Sequence, residues 1–260
     1  MGFGVWGLGS LKPVICCPWH SSAVFAAASR RMADCGCSDG CGRLLGLVGK
    51  EEIDIKAATP ILEPSPDGRR FLDWIHEIGV HVVVFDMDCT MGSGHCGAGI
   101  RKECMAEYIA GASPDFVEAV NLLASDPGIQ LAVATNSDPV EYDLPGQSRE
   151  THILGPDLAT ALIKHWCPDA LAKFQVMVGF DPSLPEHAGA PQLPGKSWHM
   201  RQIAEAYGAP LEKMILFDDS APNLQTEDGW RGVLVRNGHI GFRFADCFAD
   251  AGGMLDRLSL

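Results

Sequence analysis

The chain has 260 residues, enough for one α/β domain of about 180–200 residues with an N-terminal extension, or for two small domains. An apolar share of 47% beside 20% charged residues is that of a globular protein with a core, and the formal charge of −13 argues against non-specific binding to nucleic acid or to an anionic membrane. No window approaches eighteen uninterrupted apolar residues, so no membrane span is expected.

Residues 1–33 contain Lys12, Arg30 and Arg31 and no acidic residue, a charge of +3, which leaves −16 on the remainder. The segment is rich in Gly, Ala and Ser and reads either as a cleavable organellar or secretory leader or as a disordered one. Trp6, Pro13, Cys16, Cys17 and Pro18 make a poor amphipathic helix, and Met32 offers an alternative start. Cys35, Cys37 and Cys41 then form a C-x-C-x-x-x-C cluster among glycines, either a flexible stretch or part of a metal site without an evident fourth ligand. Ten cysteines scattered through apparent helices and loops suit a reducing, cytoplasmic compartment better than a disulfide framework. The expected organisation is a leader over 1–50, an extended lead-in over 51–70 carrying Pro60, Pro64 and Pro66, and a folded domain over 71–260.

From Phe71 the pattern alternates helix and strand. FLDWIHEIG places Phe71, Leu72, Ile75 and Ile78 on one helical face, and Gly79 ends it. Val82–Phe85 is a short apolar run with no polar face, the signature of a central parallel strand buried on both sides. Ser113-Pro114 opens a helix bearing Phe116, Val117, Val120 and Leu123. A strand over Gln130–Ala134 follows, then a polar loop over 138–157, a helix over Leu158–Trp166 and a strand over Phe174–Gly179. A Pro-rich loop, Asp181–Pro194, leads to Lys196, a helix over Ser197–Tyr207, a strand over Met214–Phe217 and a fifth strand over Gly232–Val235. Five strands with intervening helices describe a doubly wound, parallel, Rossmann-like α/β sheet.

Chemistry-bearing residues fall where these strands end, which is where open α/β sheets bind ligands. Asp86 and Asp88 close the first strand, Thr135 closes the second with Asn136 behind it, Lys196 opens a helix, and Asp218 and Asp219 close a later strand. Taken singly, each has a plainer reading: an acidic turn for Asp86 and Asp88, a turn cap for Thr135, a solvated lysine for Lys196, a helix cap for Asp218. A DxD could also hold the metal of a nucleotide-sugar transferase, but that reading calls for neither the lysine nor the second acidic pair. His95 reads as an exposed loop histidine, with substrate contact as the alternative, and Cys89 and Cys96 as small buried residues.

The order VVVFDMDCT, LAVATN, PGKSWH, MILFDDSAPN resembles the haloacid dehalogenase-like phosphohydrolase superfamily over about residues 71–240. The resemblance implies a phosphatase acting on a phosphorylated small molecule or phosphoprotein with Mg2+ as cofactor. By residue, it implies that Asp86 is the nucleophile and forms an aspartyl-phosphate, and that Asp88 is the acid and then the base. Thr135 and the following amide of Asn136 would bind phosphoryl oxygens, with Lys196 neutralising the nucleophile–phosphate pair. The metal would sit on Asp86, the backbone carbonyl of Asp88, Asp219 and Asp218, with Asn223 supporting its waters and the choice of direct ligand between the last two aspartates left open. The short gaps after the first motif and after the third strand leave room for little or no cap domain. Two alternatives remain at this stage: a non-enzymatic member that binds phosphorylated ligands or partners, and, as a lesser one, a phosphomutase.

Overall fold

The run Val82–Phe85 is the middle strand of a five-stranded parallel sheet, and all four of its residues are buried. A computed structural model describes residues 63–96, 99–136, 148–179, 195–226 and 228–248. The chain divides into two units, Met1–Thr59 and Pro60–Leu260, and the described residues belong to the second. The leader, the Cys35, Cys37 and Cys41 cluster and the loop 181–194 lie outside the described residues.

The strands are β1 (Val82–Phe85), β2 (Ile100–Arg101), β3 (Gln130–Thr135), β4 (His152–Ile153), β5 (Val176–Gly179), β6 (Met214–Asp218) and β7 (Arg231–Leu234). The helices are α1 (Pro66–Glu77), α2 (Met105–Ile109), α3 (Pro114–Ser125), α4 (Gly155–Trp166), α5 (Ser197–Tyr207) and α6 (Phe244–Phe248). The main sheet runs β5-β3-β1-β6-β7, every pair parallel. Its chain path moves outward from β1 through β3 to β5, then returns to the far side of β1 as β6. That reversal beside β1 is a topological switch point, where the loops beyond adjacent strands diverge and open a crevice.

Alternation along the strands sorts the core into two layers. Val83, Phe85, Leu131, Val133, Ile215 and Phe217 pack with α1, α3 and α4 through Phe71, Ile75, Phe116, Val120, Leu158 and Leu162. Val82, Val84, Ala132, Ala134, Met214 and Leu216 pack with α5 through Met200 and Ile203. On the first side the rings of Phe85 and Phe217 stack at 5.2 Å, and Phe242 meets both edge-on. These rings stand one residue before Asp86 and Asp218. They fix the two strand ends with side chains whose removal costs about 3–5 kcal/mol each.

Local chemistry accounts for the element ends. The Ser65 hydroxyl accepts the Gly68 N–H at 2.9 Å ahead of Pro66, and the Ser113 hydroxyl accepts the Phe116 N–H at 3.2 Å ahead of Pro114. Gly79 and Gly208 end α1 and α5 with φ of 67° and 61°. The first helix therefore starts at Pro66, five residues before the apolar stripe that marks it in the sequence, so part of the expected lead-in is helical. Likewise α4 starts at Gly155, and β4 lies in the segment expected to be loop, pairing with β2 as Ile100↔Ile153 and Arg101↔His152. Two-residue strands are too short to display a period. Between β1 and α3 the described chain holds only β2, a 3-10 turn over Lys102–Cys104 and α2, in keeping with little or no cap.

Candidate active site at the strand ends

Asp86 and Asp218 continue the even-numbered register of β1 and β6, whose preceding members Val82, Val84, Met214 and Leu216 face α5. Lys196 is the residue immediately before α5. Register thus aims both carboxylates at the side of the sheet on which α5 packs, where Lys196 lies. The Lys196 ammonium donates to Asp86 Oδ1 at 2.8 Å and to the Ala134 carbonyl at 2.7 Å, and stands 3.9 Å from Asp218 Oδ2. Lys196 and Asp218 are fully buried, Asp86 is 6% exposed, and Thr135 closes β3 nearby at 2%. Asn136, the next residue, is exposed. The Thr135 carbonyl lies 3.0 Å from His199 Nε2, which ties the end of β3 to α5.

Carboxylate oxygens of Asp86, Asp218 and Asp219 gather within 4.8 Å of one another. Three carboxylates facing one ammonium leave two negative charges uncompensated in a buried place, an arrangement that calls for protons or a cation. Burial pushes the Asp86 carboxyl up to about 8, against the pull of Lys196 and with the push of Asp218. Burial likewise lifts Asp218 to about 6 despite Lys196, and raises Asp219. Asp218 is the most tightly held of the three. Its Oδ1 accepts the Ser220 N–H at 2.8 Å and the Asn223 amide at 3.0 Å, and its Oδ2 lies 3.1 Å from the same amide. Asn223 therefore serves the aspartate directly. An all-oxygen donor set of this charge suits a hard divalent cation such as Mg2+.

Asp88, two residues on, belongs to a separate environment. Its carboxylate accepts the Cys96 N–H at 2.9 Å, the Cys96 thiol at 3.1 Å and the Tyr108 hydroxyl at 3.1 Å, with His95 Nδ1 at 3.3 Å. Burial works to raise its carboxyl, but the His95 and Cys96 bonds outweigh that and hold it below the ordinary range. The backbone turns sharply between the two aspartates and the next helix: Cys89 has φ of 54°. Burial, with Asp219, Asp88 and Asp86 adding to it, pushes the Cys89 thiol up to about 12, so it is no thiolate at neutral pH.

The structure thus brings together Asp86, Lys196, Asp218 and Asp219, places Thr135 at the neighbouring strand end, and sets Asp88 beside them on its own hydrogen bonds. Sequence reasoning did not find Tyr108 or the role of Cys96. The one signal for Tyr108 is the glycine-rich run MGSGH before it, since a side chain at Gly94 would collide with the Tyr108 ring.

No family model and no curated protein matches the sequence. Among solved structures, the chain is similar to a D,D-heptose 1.7-bisphosphate phosphatase from B. bronchiseptica in complex with magnesium and phosphate, at 18% identity and a TM-score of 0.43 over 62% of this chain and 83% of that one. A haloacid dehalogenase-like hydrolase from Streptococcus pneumoniae matches at 14% identity and 0.37, over 66% and 90%. The N-terminal part of a Bacteroides fragilis protein containing a phosphatase domain with Mg matches at 14% and 0.37, over 65% and 40%. These three matches are to haloacid dehalogenase-like hydrolases and phosphatases at distant identity. The strand order of the sheet itself is the five-stranded, parallel, Rossmann-like type that the motifs implied. Among the described residues no helix is long and apolar enough to cross a membrane.

Proposed function

We propose that this protein is a Mg2+-dependent phosphatase that hydrolyses phosphate monoesters, of a small molecule or of a phosphoprotein, through an aspartyl-phosphate on Asp86. The observation that carries the reading is the cluster at the switch point, where Asp86 lies 2.8 Å from a buried lysine and within 4.8 Å of two further carboxylates. Asp86, Asp218 and Asp219, with the backbone carbonyl of Asp88, would hold the ion. Bound there, Mg2+ supplies the positive charge that keeps Asp86 ionised and cancels its repulsion by a phosphate dianion.

The residues divide the work as follows. The Asp86 carboxylate attacks phosphorus, and as that bond forms the bond to the leaving oxygen breaks. Asp88 gives a proton to the leaving oxygen, one that it takes up once the substrate displaces the His95 and Cys96 side-chain donors that hold it ionised. It then takes a proton from water, whose oxygen attacks the phosphoenzyme and frees Asp86 and inorganic phosphate. Thr135 and the amide of Asn136 bind phosphoryl oxygens, and Lys196 balances charge on the nucleophile while the phosphoryl group is in transit.

The test is hydrolysis of an aryl phosphate with Mg2+, with EDTA, and with Asp86→Asn. Mg2+-dependent turnover, and loss of several orders of magnitude in the variant with the fold intact, is the expected result. More than about a tenth of wild-type activity in Asp86→Asn would remove Asp86 as nucleophile. Absence of hydrolysis across aryl, sugar, nucleotide and phosphopeptide esters would leave a protein that binds phosphorylated ligands without turning them over.

A further inference from the structure

The two oxygens of Asp88 are not equivalent. Oδ1 accepts two bonds, from the Cys96 N–H at 2.9 Å and the Tyr108 hydroxyl at 3.1 Å. Both donors spend their one proton on this oxygen, the first being a backbone amide and the second a phenol hydroxyl. Oδ2 meets the Cys96 thiol, a weak donor, at 3.1 Å and His95, whose side chain is 71% exposed, at 3.3 Å. Both of those contacts are easily displaced by a substrate oxygen or a water.

Tyr108 is itself held in place. It lies on α2, whose last turn is fixed from behind by the Trp166 indole N–H donating to the Ile109 carbonyl at 2.9 Å. The Ser93 N–H donates to the Gly111 carbonyl at 2.8 Å, and Gly92 bridges to Ala112. Gly92 and Gly94 leave the space that this close approach needs: a side chain at Gly92 would stand 2.5 Å from the Gly111 carbonyl oxygen, and one at Gly94 would strike the Tyr108 ring.

On the phosphatase reading above, we infer that Tyr108 is a positioning residue: with the Cys96 amide it occupies Oδ1 of Asp88 and so reserves Oδ2 as the oxygen that protonates the leaving group and activates water. The rotation of the carboxylate about its own axis is set by the phenol together with the Cys96 amide. A phosphate ester with a poor leaving group needs that proton delivered along one direction. One with a good leaving group scarcely needs it.

The experiment compares wild type, Tyr108→Phe, Asp88→Asn and the double variant on an aryl phosphate and an alkyl phosphate. Phenylalanine keeps the ring, so thermal unfolding is expected to stay within a few degrees. Tyr108→Phe is expected to lower kcat about tenfold on the alkyl phosphate and about twofold or less in phosphoenzyme formation from the aryl phosphate, with KM unchanged. In the Asp88→Asn background the same substitution is expected to have no further effect, because the group it positions is gone. Equal losses on both esters, a raised KM alone, or full additivity with Asp88→Asn would each overturn the inference and leave the phosphatase reading standing. No phosphatase activity in the wild type would overturn that reading, and this inference with it.

Discussion

The backbone N–H of Lys196 donates to the carbonyl of Asn223 at 3.2 Å, and through this contact two strand ends are tied together. The Lys196 side chain runs to Asp86 beyond β1, while the Asn223 side chain runs to Asp218 at the end of β6. The spacing of lysine and carboxylates is thus set by a backbone bond between a helix start and a 3-10 turn, not by the flexible lysine stem alone.

Gly195 makes that contact accessible. It has φ of 67°, and a Cβ there would stand 2.8 Å from the Pro222 carbonyl oxygen and 2.9 Å from that of Asn223. Gly195→Ala is expected to cost about 1–3 kcal/mol and to depress activity as well, because relief of the clash moves Lys196. Gly208 is the natural comparison: its φ is 61°, but nothing lies within 4 Å of its Cβ position. Gly208→Ala carries the same backbone strain without the collision and is expected to lower stability by about 1 kcal/mol with turnover unchanged. Equal activity in the two variants, measured beside thermal unfolding, would show that the Lys196–Asn223 contact does not govern the site.

Asp218 and Asp219 are neighbours with unequal surroundings. Asp218 is fully buried and accepts the Ser220 amide and Asn223, whereas Asp219 is only part-buried. Asp219→Ala is expected to raise the Mg2+ concentration needed for half-maximal turnover while leaving the unfolding midpoint nearly unchanged. Asp218→Ala is expected to lower the midpoint even without metal, since it strips the buried Lys196 of one counter-charge and Asn223 of its acceptor. Activity against Mg2+ titration, with calorimetry in EDTA, separates the two. A larger shift in Mg2+ requirement for Asp218→Ala than for Asp219→Ala would make Asp218 the principal ligand.

The raised carboxyls give a pH signature. With Asp86 lifted to about 8 and Asp218 to about 6, the ion-free native protein keeps protons that the unfolded chain releases above about pH 4. Native protons exceed unfolded ones across that window, so this contribution to stability is present below about pH 4 and is lost as pH rises towards 8. A cation bound to the ionised cluster reverses the loss and expels the protons. The gain in unfolding midpoint from saturating Mg2+ is therefore expected to grow from about pH 5 to about pH 8, and Asp86→Asn to flatten the ion-free slope. A gain independent of pH would mean that the cluster is fully ionised without metal.

The three central strands were legible because each carries an apolar run ending in a polar residue, Val82–Phe85 before Asp86, Leu131–Ala134 before Thr135 and Met214–Phe217 before Asp218. Lys196 was legible only through its order among the motifs; nothing local marks it as fully buried. The partners of Asp88 were not legible. Tyr108 lies twenty positions on, in a five-residue helix too short to show a stripe, and it reaches Asp88 only because glycines let α2 close on the loop. The β2–β4 pair escaped for the same reason of length, since each strand has two residues.

The loop after β7 closes over the site from the other side. A Cβ on Gly238 would stand 2.9 Å from the Cys89 Cβ and 3.3 Å from Asp219 Oδ2, and the Phe242 N–H donates to the Thr90 carbonyl at 2.7 Å. The loop therefore packs on the turn that carries Asp88 and on the side chain of Asp219 at once. Gly238 does not have a positive φ, so alanine there adds no backbone strain, and its effect reports the contact itself. Gly238→Ala is expected to displace Asp219 and raise the Mg2+ requirement several-fold, with a fall in the unfolding midpoint of only a few degrees. Cys89→Gly placed beside it removes the Cys89 Cβ and so clears the closer of the two contacts, at a φ of 54° that glycine adopts freely. If the strain passes through Cys89, the double variant regains most of the Mg2+ affinity; if it falls on Asp219 directly, the double variant stays impaired. An unchanged Mg2+ requirement in Gly238→Ala would show that this loop gives way without moving the carboxylate.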